Sequence, residues 1–87
     1  MGIRRSKKFK NDYKRILRQG CDKAKLLDTI QKIHSGDPLP ESYYDHDLHG
    51  EMAGFRECHI EPDWLLVYER TKTDLILYRT GSHSDLF

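Results

Sequence analysis

The run Trp64-Leu65-Leu66-Val67-Tyr68 constrains this chain more than any other feature. Five apolar residues in succession mark a strand covered on both faces, since a strand with one wet face would alternate. Turn residues bound the run, with Pro62-Asp63 before it and Thr71-Lys72-Thr73 after it. The flanking segments Phe55–Ile60 and Leu75–Tyr78 are β-compatible, and Gly81 closes the second. Connections this short join antiparallel neighbours, so a three-stranded meander is expected with Trp64–Tyr68 in its middle.

Two helices are expected before it. Phe9, Tyr13, Ile16 and Leu17 recur at helical spacing, with Ser6 as N-cap and Gly20 as the stop. Asp22 can cap a second helix with the apolar stripe Leu26, Leu27, Ile30 and Ile33, ending at Ser35-Gly36. The link between them is short, which predicts a helical hairpin. Residues around Ile3 can form a short strand, and 36–51 reads as a loop because Pro38 and Pro40 exclude a regular helix. The 87 residues suffice for one core, so 1–87 is read as a single domain with a radius of gyration of about 12 Å. The expected architecture is α+β in two layers, an N-terminal helical hairpin packed on a small antiparallel β-sheet.

The longest apolar run is far too short for a membrane span, and no apolar stretch follows the basic N-terminus. A cytoplasmic location is expected, with Cys21 and Cys58 as free thiols. The net charge of +1 conceals an asymmetry. Residues 1–35 hold eleven Lys or Arg against three Asp, a net +8; residues 36–87 hold four against eleven acids, a net −7. A basic block of this kind favours phosphate backbones or acidic partners, although a solvated helical face would look the same.

Four of the five histidines lie in the second half, at 46, 49, 59 and 83. His46, His59 and His83 fall near element boundaries that a meander can bring together, close to Asp63 and Arg79. Such a set suits cleavage of RNA. Imidazole can take a proton from the ribose 2′-hydroxyl and return one to the leaving 5′-oxygen near neutral pH. A guanidinium can offset the charge on the phosphate, and an aromatic face such as Trp64 or Phe87 can receive an unstacked base. Taken singly, each residue has a plain alternative: loop histidines, a core tryptophan, and an Arg79 that pairs with Asp63 or Glu57. His46-x-x-His49 is half of a metal site with no companion at the right spacing, so no metal is expected.

Three longer motifs raise the specificity. They are Asp45-His46-Asp47-Leu48-His49-Gly50, the run from Gly54-Phe55-Arg56 through His59-Ile60-Glu61-Pro62-Asp63-Trp64 to Tyr68, and Arg79-Thr80-Gly81-Ser82-His83-Ser84-Asp85-Leu86-Phe87. This ordered pattern resembles the YafQ branch of the RelE-like bacterial toxins, and the basic first half fits more loosely. The resemblance implies a RelE-like fold and a toxin of a type II toxin–antitoxin system. It further implies ribosome-dependent, metal-independent cleavage of translated mRNA in the A site, with no cofactor. The implied partners are a cognate antitoxin, the 70S ribosome and mRNA. The positions matching the family's active site are His46, His59, Asp63, Trp64, Arg79, His83 and Phe87. The expected roles are His83 as general acid, His59 or His46 as base, Asp63 as the group orienting an imidazole, Arg79 on the phosphate, and Trp64 and Phe87 shaping the site. Lys7, Lys8, Lys10, Lys14, Arg15 and Arg18 are expected to lie against ribosomal RNA. Glu51-Met52-Ala53 departs from the usual pattern, and Asp47 adds an acid near the RNA. Two other readings remain open at this point: a same-fold toxin that blocks a partner protein, and a non-enzymatic RNA-binding module.

Overall fold

Ser6 shows how local sequence sets the architecture. Its hydroxyl accepts from the Phe9 N–H at 2.9 Å, which starts helix α1 (Lys7–Arg18). The same hydroxyl donates to the Tyr78 carbonyl at 2.6 Å, so the cap also fixes the helix start on the last strand. Asp22 caps helix α2 (Lys23–Ser35) through the Ala24 N–H at 2.9 Å. That helix stops at Gly36, whose φ of +84° is the left-handed conformation glycine adopts at least cost.

The computed structural model describes residues 2–87. Five strands form one sheet: β1 (Gly2–Arg5), β2 (His46–Asp47), β3 (Arg56–Glu61), β4 (Trp64–Arg70) and β5 (Asp74–Gly81), in the order β1-β5-β4-β3-β2. A short helix α3 (His83–Leu86) follows β5, and the stretch expected as loop carries 3-10 turns at Glu41–Tyr43 and Gly50–Met52. The expected meander is β3–β4–β5, and β2 extends it antiparallel. The strand around Ile3 is also present, but it runs parallel to β5, with Ile3 opposite Leu75 and Arg5 opposite Leu77. The sheet is therefore mixed at one edge. The reason is the path between these strands, which crosses over through the helices as parallel neighbours require. The radius of gyration is 12.0 Å, as the chain length leads one to expect.

The core lies between the helices and one face of the sheet. Phe9 and Ile16 of α1 and Leu26, Ile30 and Ile33 of α2 pack with Cys58, Trp64, Leu66, Tyr68, Leu75 and Leu77. Burial of each such side chain stabilises the fold by about 1.5–3 kcal/mol. All of Trp64–Tyr68 is buried, in accord with a central strand. Two stripe residues differ from expectation: Leu17 and Leu27 are exposed, while Asp12 takes a buried position on α1. The inner face of α1 follows Phe9, Asp12 and Ile16, and the four donors that meet Asp12 make its burial tolerable.

Alternation along β3 then decides where the site can be. Cys58 pairs with Leu66 and faces the helices, so Glu57 and His59, opposite Val67 and Leu65, face the other side. His46 pairs with Glu57 and joins them there.

Candidate active site

The three histidines named from sequence form a row. The His46 and His59 rings are 6.4 Å apart, and the His59 and His83 rings 5.6 Å. His46 comes from β2, His59 from β3, and His83 from the first position of α3, where a Ser82–Asp85 capping box fixes the turn. Asp63, in the β3–β4 turn, is brought to the same place. Its carboxylate accepts the His83 backbone N–H at 3.0 Å and the His83 Nδ1–H at 2.7 Å. Those two bonds, the backbone one first, hold the Asp63 carboxyl below the usual carboxylate range. An ionised carboxylate only accepts, so His83 carries its proton on Nδ1 and turns Nε2 away from Asp63.

His46 is oriented differently. Its Nδ1 lies 2.6 Å from the Tyr44 carbonyl oxygen, which can only accept, so Nδ1 carries the proton here too. In the neutral ring the lone pair is then on Nε2. His59 lies between the two, with Nε2 3.5 Å from the buried Glu57 carboxylate and its ring edge-on to Tyr44 at 5.6 Å. A cleft of about 970 Å³ opens beside the row, lined by Tyr43, Tyr44, His46, His59, Ile60 and Pro62 among others.

The Asp45 of the first motif is a structural anchor that carries His46. It accepts from the Tyr68 hydroxyl at 2.5 Å and from Arg56 Nη2 at 3.0 Å, while Arg56 Nη1 reaches Asp47 at 2.6 Å. These bonds fasten the segment before β2 to the sheet. Hydrogen bonding to Asp45 raises the Arg56 pKa, and burial followed by Asp45 raises that of Tyr68, so both keep their protons. Burial pushes the Cys58 thiol up to about 12, which leaves it an inert core residue. Asp47 is paired with Arg56 rather than presented alone to RNA.

One plain alternative and two expectations need correction. Arg79 pairs neither with Asp63 nor with Glu57. Its Nε and Nη2 donate to Asp12 of α1 at 2.7 and 3.1 Å. Trp64 offers no open face to a base, because its indole is buried in the core with Nε1 donating to Thr80 at 3.0 Å. It can shape the site only from beneath. Arg15 is not free to meet RNA: it donates to Asp12 at 2.9 Å and to the Thr80 carbonyl at 3.0 Å, and lies 3.6 Å from Asp85. Lys7, Lys8, Lys10, Lys14 and Arg18 are exposed along α1 as expected, with Lys8 above the Tyr78 ring. Phe87 is exposed at the end of α3.

Asp12 is the site-related residue that sequence reasoning missed. Burial raises its carboxyl pKa, but hydrogen bonds from Arg79, the Thr80 N–H and Arg15 outweigh that and hold it below the ordinary range. The signal was an acid at the fourth position of the Phe9–Ile16 stripe, on the face that packs inward. Glu57, His59 and His83 also offer ligand atoms within 4.8 Å of one another, a geometry that can hold a metal ion. This trio differs from the His46-x-x-His49 pair considered from sequence. No described helix is long and apolar enough to cross a membrane.

Over residues 1–87 the chain matches the family described as bacterial toxin of type II toxin-antitoxin system, YafQ. It is 40% identical to the mRNA interferase toxin YafQ of Escherichia coli K12, covering 98% of this chain and 94% of that one. Among solved structures, a metal-bound toxin from Helicobacter pylori superposes with a TM-score of 0.93 at 43% identity, covering 100% and 99% of the two chains. The E. coli DinJ–YafQ toxin–antitoxin complex matches with a TM-score of 0.90 at 37% identity, covering 98% and 94%.

Proposed function

The chain belongs to the YafQ family of toxins of type II toxin–antitoxin systems, and from that premise we propose that it is a cytoplasmic endoribonuclease that cuts translated mRNA in the ribosomal A site. The observation that carries this reading is the His46–His59–His83 row, with different groups fixing the rings at its two ends. His46 Nε2 takes the proton of the ribose 2′-hydroxyl, and the 2′-oxygen attacks the adjacent phosphorus. The bond to the 5′-oxygen breaks, and that oxygen receives a proton from His83 Nε2. The products are a 2′,3′-cyclic phosphate and a free 5′-hydroxyl. A positive His83 stands beside the Asp63 carboxylate, which offsets its charge. The Arg79 fork, steadied by Asp12, receives the phosphate charge on the nitrogen that Asp12 does not use. His59, in the middle, lines the same cleft and is the third imidazole that a phosphate bound there would meet. None of these steps uses a metal.

The net +8 of residues 1–35 suits a polyanion, and the exposed lysines of α1 are the cations free to meet ribosomal RNA. An acidic antitoxin segment would be attracted to the same block. The relative in complex with DinJ supports such a cognate antitoxin.

A second reading concerns metal. The Glu57–His59–His83 geometry and the metal-bound H. pylori relative favour a site that a borderline divalent ion such as Zn²⁺ can occupy. Such an ion would tie up two of the three imidazoles, so it would inhibit the nuclease. Primer extension on an mRNA under translation in a purified system tests the main reading. The expected result is cuts at discrete codon positions with the wild type, none when ribosomes are omitted, and none with His46→Ala. Intact mRNA with translation still halted would replace nuclease by a blocking role.

A further inference from the structure

An unstacked base needs an aromatic face, and the buried Trp64 does not provide it. Tyr44 is the most open of the large apolar side chains among the described residues, at 68% exposure. It stands on the rim of the cleft beside the histidine row, with its ring edge-on to His59. Its backbone has a φ of +48°, the only left-handed value at a residue other than glycine among those described. A side chain of this size is disfavoured there, and Tyr44 takes the conformation to end the 3-10 turn Glu41–Tyr43, its N–H donating to the Glu41 carbonyl at 2.9 Å. Here the conformation is coupled to two features. The carbonyl meets His46 Nδ1, and the phenol ring is left largely in solvent, edge-on to His59. Packing does not explain the ring, because the core is complete without it.

We infer that Tyr44 is a stacking platform for one nucleobase of the RNA, that of the nucleotide whose 2′-hydroxyl is attacked. The inference rests on the nuclease reading above. The order along the row sets the side of the cut. The Tyr44 ring meets His59, its carbonyl holds His46, which meets the 2′-hydroxyl, and the cleft it rims takes in His46 and His59 but not His83, which lies beyond His59 with the leaving 5′-oxygen. The base nearest Tyr44 is therefore the one on the 5′ side of the scissile phosphate. Phe87, exposed at the end of the helix that begins with His83, stands with the other half of the substrate.

The test uses ribosomes programmed with a synthetic mRNA, intact or with a single abasic nucleotide 5′ of the cut. Single-turnover cleavage is measured for the wild type, Tyr44→Phe and Tyr44→Ala. With intact mRNA, Tyr44→Ala should be slower by about tenfold or more, while Tyr44→Phe stays near the wild type. On the abasic mRNA the wild type should fall to the Tyr44→Ala rate, and the two proteins should no longer differ. Equal loss by Tyr44→Ala on both mRNAs would overturn the platform, because the residue would then act only by holding His46. Unchanged cleavage by Tyr44→Ala would overturn it too, and would leave the ring as a contact for the antitoxin or ribosome. Absence of cleavage by the wild type on intact mRNA would instead remove the nuclease reading, and the platform with it.

Discussion

Two aspartates in this molecule each hold a basic side chain from a distant part of the chain, with opposite consequences. Asp12 is buried, with 3% of its side chain exposed, and binds Arg79, Arg15 and the Thr80 N–H at once. Asp63 is 70% exposed and, among the described residues, binds His83, through the ring and its backbone N–H. In the first case, desolvation has been met by a full set of donors, and the group behaves as part of the fold. In the second, the partner keeps one ring nitrogen open to solvent and can exchange protons. The same carboxylate group is thus divided by burial and by its partners into an anchor and a working pair.

Breaking the working pair should have the largest effect. His83→Ala should lower cleavage by about 10²–10⁴-fold while shifting Tm by no more than about 2 °C, read by single-turnover cleavage and thermal unfolding together. A large loss of Tm would assign His83 to the anchor class. Breaking the anchor should show first in stability. Asp12→Asn leaves two guanidinium groups without their shared carboxylate and should cost about 3 kcal/mol of stability. For a domain of this size that lowers Tm by about 15 °C.

Acid sharpens the contrast. The Asp12 carboxyl sits below its unfolded value in the fold. Its contribution is therefore complete above the unfolded pKa of about 4 and is lost as pH falls through the lower folded value. The wild type should lose stability more steeply below pH 4 than Asp12→Asn does, measured by urea unfolding across that range. Asp63 shifts in the same direction, but it is largely exposed, so Asp63→Asn should leave the acid limb nearly unchanged.

A divalent metal tests the working region by another route. Zn²⁺ should bind the wild type and slow cleavage, with removal by a selective chelator restoring it. Glu57→Gln should weaken Zn²⁺ binding by about tenfold or more in calorimetry, because it removes one member of the trio. Retained affinity in that variant would place the ion elsewhere. The smallest effects belong to the basic helix. Lys10→Ala or Lys14→Ala should reduce the salt slope of ribosome binding by about one, whereas Arg15→Ala should leave it unchanged because Arg15 is engaged with Asp12 and Thr80.

What could be read from sequence follows the range of the interactions. Ser6, Asp22 and Gly36 act within a few residues, and each marks its helix end as expected. Trp64–Tyr68 declares a central strand because burial on both faces needs no knowledge of what covers it. The parallel pairing of β1 with β5 was not legible, since its partner lies more than seventy residues away. Nor was the burial of Asp12, which depends on Arg79 across a separation of 67. The convergence of His46, His59, Asp63 and His83 came from the motifs as a set, because no spacing within the sequence distinguishes these histidines from ordinary loop residues. An indole invites a base-stacking role by its type, but packing places Trp64 in the core, the alternative that its apolar strand also offers. Tyr44 was overlooked because nothing in Ser42-Tyr43-Tyr44-Asp45 announces a left-handed backbone.

That the exposed imidazole row works on the ribose 2′-hydroxyl is tested most directly by replacing that one hydroxyl. Ribosomes would be programmed with an mRNA carrying a single 2′-deoxynucleotide 5′ of the cut, beside an all-ribose control. The expected result is loss of cleavage at the deoxy position, with the control yielding a 5′ fragment that ends in a 2′,3′-cyclic phosphate. Cleavage of the deoxy mRNA at the control rate would mean that water, and not the 2′-oxygen, attacks the phosphorus, and would contradict the role given to His46.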